Sequence, residues 1–201
     1  MPSPKSAKEA LGTLKYLDYL DSIQPLRVSY EGQKFIEHFG IVDDDTFEIA
    51  VITAKALIQQ NEIAQAVAVL SRISDALLHL RITDSIASNL QRLAHYYTVI
   101  GQHTEAVRTA QRIIDADVTP TRRARAYCTL AIVHYDNGDT AAAHEALRRA
   151  KEIAATVSDD DLGTPISLVV LSTEREMDGD DLLDNMFHAL DPGWRLRRRL
   201  H

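Results

Sequence analysis

The chain has 201 residues, of which 45% are hydrophobic, and a formal net charge of −7. This is enough apolar material for one domain or for one array of packed units. The negative charge argues against generic nucleic-acid binding, and no apolar run approaches the length that spans a bilayer. The N-terminal residues do not resemble a signal peptide, and the one cysteine, Cys128, cannot form an internal disulfide, so we expect a cytoplasmic protein.

Two helices without a repeat pattern are predicted first. Apolar residues recur about once per turn over residues 6–23, which predicts an amphipathic helix that Pro25 ends. A second helix is predicted over 26–39, with Gly40 just past its end as the cap. Because terminal units of helical arrays are usually atypical, we interpret residues 1–45 as an N-terminal capping hairpin.

A run of three aspartates, 43–45, precedes the next predicted helix. Asp45 and Glu48 have the spacing of a capping box, in which the two side chains bond to the free N–H groups of a helix start. The run lacks the alternating aspartates, the glycine and the distal glutamate of a calcium loop. We therefore interpret it, and likewise the acidic stretches 159–161 and 178–181, as helix-capping and solvated carboxylates and predict no metal site.

One residue pattern recurs through the middle of the chain. Its first clear copy contains Leu90, Leu93, Ala94, Tyr97, Gly101, Ala106, Ala110 and Ile113, and 37 residues later it recurs as Tyr127, Leu130, Ala131, His134, Gly138, Ala143, Leu147 and Ala150. A copy 40 residues earlier has Asn61 in place of the glycine. A copy 41 residues after the second contains Leu168, Leu171, Ser172, Arg175 and Gly179 and is degenerate.

The spacing within each copy predicts a helical hairpin. Apolar residues at steps of three and four form one face of a helix, and a Gly or Asn then ends that helix in a left-handed turn. Small residues would face each other where the helices meet, namely Ala54, Ala94, Ala131 and Ser172 on first helices and Ala66, Ala106 and Ala143 on second helices. Thr119-Pro120, Thr164-Pro165, Asp139 and Asp180 are predicted helix starts. The predicted helices are 46–60, 62–80, 85–100, 104–116, 120–136, 140–157, 165–177 and 181–190.

These positions resemble the tetratricopeptide repeat (TPR), whose pattern is a large apolar residue, a Leu-Gly/Ala pair, an aromatic residue and a glycine before a second helix rich in small residues. The resemblance is good over residues 87–156, fair over 47–83 and poor over 165–190. It implies an all-α fold, a right-handed α-α superhelix of about five antiparallel helix hairpins. The repeats would be 46–84, 85–119, 120–158 and the degenerate 164–190, followed by a basic tail, 191–201.

The resemblance also implies a groove, because the first helices of TPR units line a concave surface that binds peptides. The corresponding positions here are Val51, Lys55, Ser88, Gln91, Arg92, His95, Thr98, Arg125, Thr129, Ile132 and Tyr135. Lys55, Arg92, His95 and Arg125 would make this channel locally positive and suited to a carboxylate or an acidic peptide. The chaperone-clamping set of this family lacks both of its asparagines here, so that ligand is not predicted. An ordinary solvated helix face explains the same residues equally well.

No motif in the sequence indicates catalysis. There is no Gly-rich phosphate loop, nucleophile elbow or Cys-x-x-Cys pair. His95, His134 and His144 would converge if the hairpins stack, but single histidines on packed helices are more often structural. We interpret Cys128 as a buried small hydrophobe. The sequence therefore predicts no catalytic residue, no cofactor and no metal, and an enzyme is the least favoured alternative.

We expect a non-catalytic module that binds a peptide segment of a partner protein, as an adaptor, a chaperone-like protein or a peptide-sensing regulator. No nucleic-acid or membrane partner is expected. The alternative is a self-associating structural protein, a homodimer, because Leu77, Leu78, Leu80 and Ile82 form a dense apolar group unless they pack on the following hairpin. The tail holds Trp194 and four arginines, and we favour a tail that folds back over one that grips an acidic partner or a membrane surface.

Overall fold

The fold is all-α. The computed structural model describes residues 4, 6–20, 25–157 and 166–177, and these contain nine helices and no strand. The helices are α1 (Ala7–Leu20), α2 (Pro25–Phe39), α3 (Asp44–Gln59), α4 (Ile63–Leu78), α5 (Asp84–Val99), α6 (His103–Ile114), α7 (Pro120–Asp136), α8 (Thr140–Ala154) and α9 (Ile166–Met177). The all-α prediction is confirmed, and each predicted helix within the described residues is present. The predicted helix 181–190 and the basic tail lie outside the described residues.

The chain divides into two compact units, Met1–Leu80 and Arg81–His201. In the first unit, neighbouring helices pack in chain order, and α1 also packs on α3. In the second unit the same arrangement recurs, with α5 on α7 and α7 on α9. Within each unit, every helix packs on the next one, and the odd-numbered helices also pack on one another. This is the pattern of stacked hairpins in a helical solenoid. The right-handed superhelical twist stays a prediction.

Three hairpin turns share one main-chain geometry. Each contains a residue with positive φ, at Asn61 (60°), Gly101 (73°) and Gly138 (79°). The N–H of that residue donates to the carbonyl three residues earlier, and the next N–H donates to the carbonyl five residues earlier, at 2.8–3.0 Å throughout. This is the Schellman motif, in which the last carbonyls of a helix are satisfied by the turn itself. The predicted left-handed turns are confirmed, including the one with asparagine.

The alanines that the sequence pattern placed between helices are completely buried. Their exposed fraction is 0% at Ala54, Ala66, Ala94, Ala106, Ala131 and Ala143. Small side chains at these positions let two helix backbones approach closely. The three clear copies of the pattern therefore have the same packing role in the folded chain.

The register of the last copy differs from the prediction. Leu168 and Leu171 are 49% and 41% exposed, whereas the matching Leu90 and Leu93 are buried. The buried side of α9 is formed instead by Ile166, Val170, Ser172, Thr173 and Met177. Ser172 is buried as predicted, but because apolar residues also lie beside the predicted leucines, the sequence pattern did not reveal which of them face the interior.

The capping box of α3 also differs from the prediction, because the helix starts two residues earlier. Asp43, rather than Asp45, is the capping residue: its carboxylate accepts from the Thr46 N–H at 2.8 Å, while the Thr46 hydroxyl accepts from the Asp43 N–H at 2.9 Å. Glu48 has no part in this box because Thr46 takes the reciprocal position. The N–H of Thr46, together with its hydroxyl, lowers the pKa of Asp43.

Three other predicted signals for helix ends are confirmed. Helix α7 begins with Pro120 after Thr119, and the Asp139 carboxylate accepts from the Ala142 N–H at 3.0 Å at the start of α8. Gly40 follows α2 with a φ of 72°. The predicted starts at Thr164-Pro165 and Asp180 lie outside the described residues.

Candidate partner-binding surface

The predicted groove residues fall into both units of the chain. Lys55 lies on α3 in the first unit, and the others lie on the neighbouring helices α5 and α7 of the second unit. All are half-buried: Lys55, Ser88, Gln91, Arg92, His95, Arg125, Thr129 and Tyr135. The structure thus brings seven of the eight onto one pair of packed helices.

Lys55 forms an ion pair with Asp18 of its own unit. Its Nζ donates to both carboxylate oxygens of Asp18 at 3.0 Å, and the side chains of Lys55 and Asp18 are 20% and 31% exposed. Asp18 lies on α1, so this ion pair fastens α1 to α3. The sequence pattern identified the lysine but not its partner, which lies 37 residues away.

Two positions that the repeat pattern assigned to the groove are buried. Val51 is 2% exposed and Thr98 is 5% exposed. The Thr98 hydroxyl donates to the Ala94 carbonyl of its own helix at 2.9 Å, so it is turned to its own backbone rather than to a ligand. These two residues are removed from the candidate surface, whereas Ile132 on α7 is half-buried and remains on it.

A hydrogen-bonded clamp aligns α5 with α7. The Asp84 carboxylate, in the first turn of α5, accepts from the N–H of Thr119 at 3.1 Å and from its hydroxyl at 3.4 Å. Thr119 is the capping residue of α7, so the two helices have their N-terminal ends together and run side by side. Nine half-buried residues lie on these two neighbouring helices, and we call them the α5–α7 face: Ser88, Gln91, Arg92, His95, Arg122, Arg125, Thr129, Ile132 and Tyr135.

The start of α7 is strongly basic. Arg122, Arg123 and Arg125 lie in its first two turns, and its first turn has no acidic residue. Burial, followed by the charge of Arg122, lowers the pKa of Arg125. Arg123 forms a contact within the chain: its Nη2 donates to the carbonyl of Ala116, just after the end of α6, at 3.3 Å. Of these three arginines only Arg125 was predicted as a groove residue, although the run of arginines is visible in the sequence.

The α5–α7 face also contains aromatic and hydroxyl groups with local structural contacts. The rings of His95 and Tyr96 meet edge to face, with centroids 5.6 Å apart. Tyr135 packs against the buried cluster of the second unit, and the Thr129 hydroxyl donates to the Arg125 carbonyl at 3.1 Å. This surface can therefore offer charge, hydrogen bonds and aromatic area to a bound chain.

Cys128, also on α7, belongs to the buried cluster of the second unit and is chemically protected. It is 2% exposed, and burial raises the pKa of its thiol to about 11, against the opposing effects of a hydrogen bond with Thr173 and of the Arg125 charge. A thiol with a raised pKa holds little thiolate at neutral pH and is a poor nucleophile. The interpretation of Cys128 as a buried hydrophobe is confirmed.

The described part of the chain contains no cluster of three or more His, Cys, Asp or Glu side chains suited to a metal ion. His95 and His134 are half-buried and His144 is exposed. In the same part of the chain, no helix is long and apolar enough to cross a membrane.

These features define a helical-repeat protein, built from stacked hairpins whose first helices present a mixed polar and basic face. The family model of the 26S proteasome subunit RPN7 matches residues 52–201, which is most of the chain. The chain belongs to this family. Comparison with curated proteins and with solved structures found no further match.

Proposed function

We propose that the chain is a non-catalytic helical-repeat subunit that holds partner proteins within a larger protein assembly. The observation that carries this proposal is the match to the RPN7 family, which is described as a subunit of the 26S proteasome. Stacked helix pairs suit this role because they offer long side-chain surfaces at fixed spacing. Such a role fits the cytoplasmic location expected from the sequence.

In finer detail, we propose that the hairpins are TPR-like and that a segment of a partner binds on the α5–α7 face. Ser88, Gln91, Arg92 and His95 lie along α5, and the other residues of the face lie along α7. Asp84 and Thr119 hold the two helices in register. The half-buried state of these side chains supports the proposal, because a partly packed side chain loses less conformational entropy on binding than a fully exposed one. Lys55 would contribute only if its ion pair with Asp18 opens.

The test is to isolate the tagged chain from its own cells under native conditions and to map the bound surface by hydrogen exchange. We expect a large complex in which residues 84–99 and 120–136 gain protection relative to the free chain. Arg92→Glu should deplete the complex, because a charge reversal at an interface leaves the opposing group unpaired. A chain that migrates alone would contradict the assembly role, and protection elsewhere would contradict the α5–α7 face.

A matched control is available on α6. Arg108 is exposed and forms an ion pair with Glu105 one turn away, an arrangement that contributes little to stability. Arg108→Glu makes the same change in net charge as Arg92→Glu but lies off the α5–α7 face. It should leave the complex intact.

Self-association is a second candidate function, favoured by exposed leucines at the end of the first unit. Leu78 and Leu80 are 51% and 48% exposed, while the adjacent Leu77 is buried. Burying such side chains between two copies would remove apolar surface from water. Sedimentation should then show a dimer that Leu78→Lys with Leu80→Lys dissociates. A strict monomer at high concentration would contradict this alternative.

A further inference from the structure

We propose that Leu168 and Leu171, the exposed leucines of α9, form a docking site for residues 181–190 of the same chain. This segment would pack on α9 as the second helix of a fourth hairpin and close the second unit. The inference is independent of the proposed function, because it concerns the last hairpin rather than the α5–α7 face.

Leu168 and Leu171 are three residues apart, so they lie on the same side of α9. They are 49% and 41% exposed, whereas the matching residues of α5 and α7 are buried, with exposed fractions of 0% at Leu90, 1% at Leu93 and 6% at Leu130. Helix α5 packs on α6 and α7, and helix α7 packs on α8 and α9, so both have later helices against them. Helix α9 packs on α7 and α8, which precede it. Among the described residues, no helix follows α9.

The residues directly after α9 have the length and the glycine of a hairpin turn. Three residues separate the two helices in each of the hairpins α3–α4, α5–α6 and α7–α8, and the middle one has positive φ: Asn61, Gly101 or Gly138. Helix α9 is likewise followed by three residues with Gly179 in the middle, and then by the predicted helix 181–190. A turn of this kind would return the chain antiparallel along α9.

Residues 181–190 have the apolar side that a second helix needs. In α4, α6 and α8, the residues five, eight, nine and twelve positions after the middle residue of the turn are all buried. After Gly179 the same spacing occurs one position earlier, in Leu183, Met186, Phe187 and Leu190. The remaining positions of the segment are mostly polar. The segment therefore has an apolar side for α9 and a polar side for water, as the terminal unit of a helical array requires.

The chain's own segment is favoured over a second copy or a helix of another protein. A short connection holds the segment beside α9 at an effective concentration on the order of millimolar, which gives it an advantage over free molecules. The family match also continues to residue 201, so residues 181–190 belong to the region that the family shares. Covering Leu168 and Leu171 removes apolar surface from water, which favours the docked state.

Methyl NMR on the full chain tests the contact directly. We expect nuclear Overhauser effects between the methyl groups of Leu168 and Leu171 and the side chains of Met186 and Phe187. In a mixture of labelled and unlabelled chains, an isotope-filtered spectrum should show none of these effects between molecules. Effects seen only between molecules would assign the surface to a second copy and overturn the inference. The absence of any effect from residues 181–190 in the wild-type chain would also overturn it.

Substitution of both leucines gives a second, independent test. Leu168→Ser with Leu171→Ser should lower the Tm by about 5 °C or more and remove hydrogen-exchange protection from residues 181–190, because the segment loses its apolar contact. Leu78→Ser with Leu80→Ser is the matched control, since these leucines are 51% and 48% exposed. At a concentration where the chain is monomeric, the control should change the Tm by no more than about 2 °C.

Two results of this test would contradict the docking site. One is an equal effect of the two double substitutions on the Tm, which would show that Leu168 and Leu171 are no more covered than Leu78 and Leu80. The other is a fall in Tm that leaves the protection of residues 181–190 unchanged, which would show that the leucines stabilise a different contact.

Discussion

A Cβ atom at position 32 would lie 2.0 Å from the Thr53 hydroxyl oxygen, so α2 and α3 pack directly over Gly32. Thr53 cannot turn away easily, because it is fully buried and its hydroxyl donates to the Ile49 carbonyl at 2.7 Å. No role for Gly32 was predicted from the sequence. Its role depends on a neighbour from another helix, which no local pattern reveals.

We predict that Gly32→Ala lowers the free energy of unfolding by about 1–3 kcal/mol through overpacking. Gly12 is the matched control, since it lies in α1 and a Cβ atom added there would meet no neighbouring atom within 4 Å. Gly12→Ala should stabilise by about 0.5–1 kcal/mol, as expected for a glycine in a helix. Urea unfolding of both variants checks the prediction, and equal effects at the two positions would contradict it.

The buried thiol predicts a specific dependence of stability on pH. The pKa of Cys128 is about 11 in the folded chain, against an ordinary value of 9.0. Between these values the unfolded chain releases the proton first, so stability is unaffected by this group below pH 9 and falls as the pH rises toward 11. The expected loss is on the order of 2 kcal/mol.

Cys128→Ala removes this contribution. The difference in unfolding free energy between the wild type and the variant should therefore shrink, or change sign, from pH 9 to 11. Denaturant unfolding at several pH values measures it, and other groups that titrate in this range cancel in the difference. A difference that stays constant with pH would show that the thiol is not buried as described.

At the scale of single residues, the sequence predicted which side chains are buried better than it predicted which side chains contact each other. The interhelical alanines and Cys128 were recognisable because size and period determine burial. Lys55 was identified as a cation, but its pairing with Asp18 depends on how α1 packs on α3. Thr98 and Val51 were misplaced because an average repeat pattern does not tell a half-exposed position from a covered one.

At the scale of elements, helix starts can be tested by their capping residues. Asp43 accepts from the Thr46 N–H, and the Thr46 side chain completes the box. We predict that Asp43→Ala costs about 1 kcal/mol, whereas Asp45→Ala costs only a few tenths. Thermal unfolding of the two variants distinguishes the cap in the structure from the one that the sequence spacing favoured.

The same cap predicts the direction of an acid effect. Because the pKa of Asp43 is lowered in the folded chain, its contribution is present above the unfolded pKa and is lost as the pH falls through the folded pKa. The gap in stability between the wild type and Asp43→Ala should narrow in acid. A gap that widens in acid would contradict the assignment.

Helices were predicted well because their end signals are local. The Schellman turns at Asn61, Gly101 and Gly138 need only one residue that tolerates positive φ, and the sequence shows it. The register of α9 could not be predicted in the same way, because Leu168 and Leu171 are as apolar as the buried Ile166 and Val170. Which side is buried was decided by its contacts with α7 and α8.

At the scale of the whole molecule, the two compact units predict separable effects of core damage. Leu14 in the first unit and Ile113 in the second are essentially fully buried, so truncating either one to alanine should cost about 2–5 kcal/mol. Native-state hydrogen exchange should show the loss for Leu14→Ala mainly in residues 25–80, and for Ile113→Ala mainly in 84–157. An equal loss throughout both regions would show one cooperative block instead.

The sequence indicated the general type of function but not the particular partner. Repetition at steps of about forty residues and the absence of catalytic motifs pointed to a surface that contacts other proteins. The identity of the partner cannot be predicted from the repeat pattern, because many helical arrays share the same packing residues. The half-burial of Arg122 and Arg125 could not be predicted from the sequence, because it depends on the helices that pack around α7.

Because Cys128 is buried, the chain can be labelled at one chosen position for measurements on the assembly. Since it is the chain's single cysteine, a second cysteine introduced on an exposed helix can receive a fluorophore or a spin label with the native residue left in place. Distances from such labels to neighbouring subunits could then be measured by energy transfer, without re-engineering the interior.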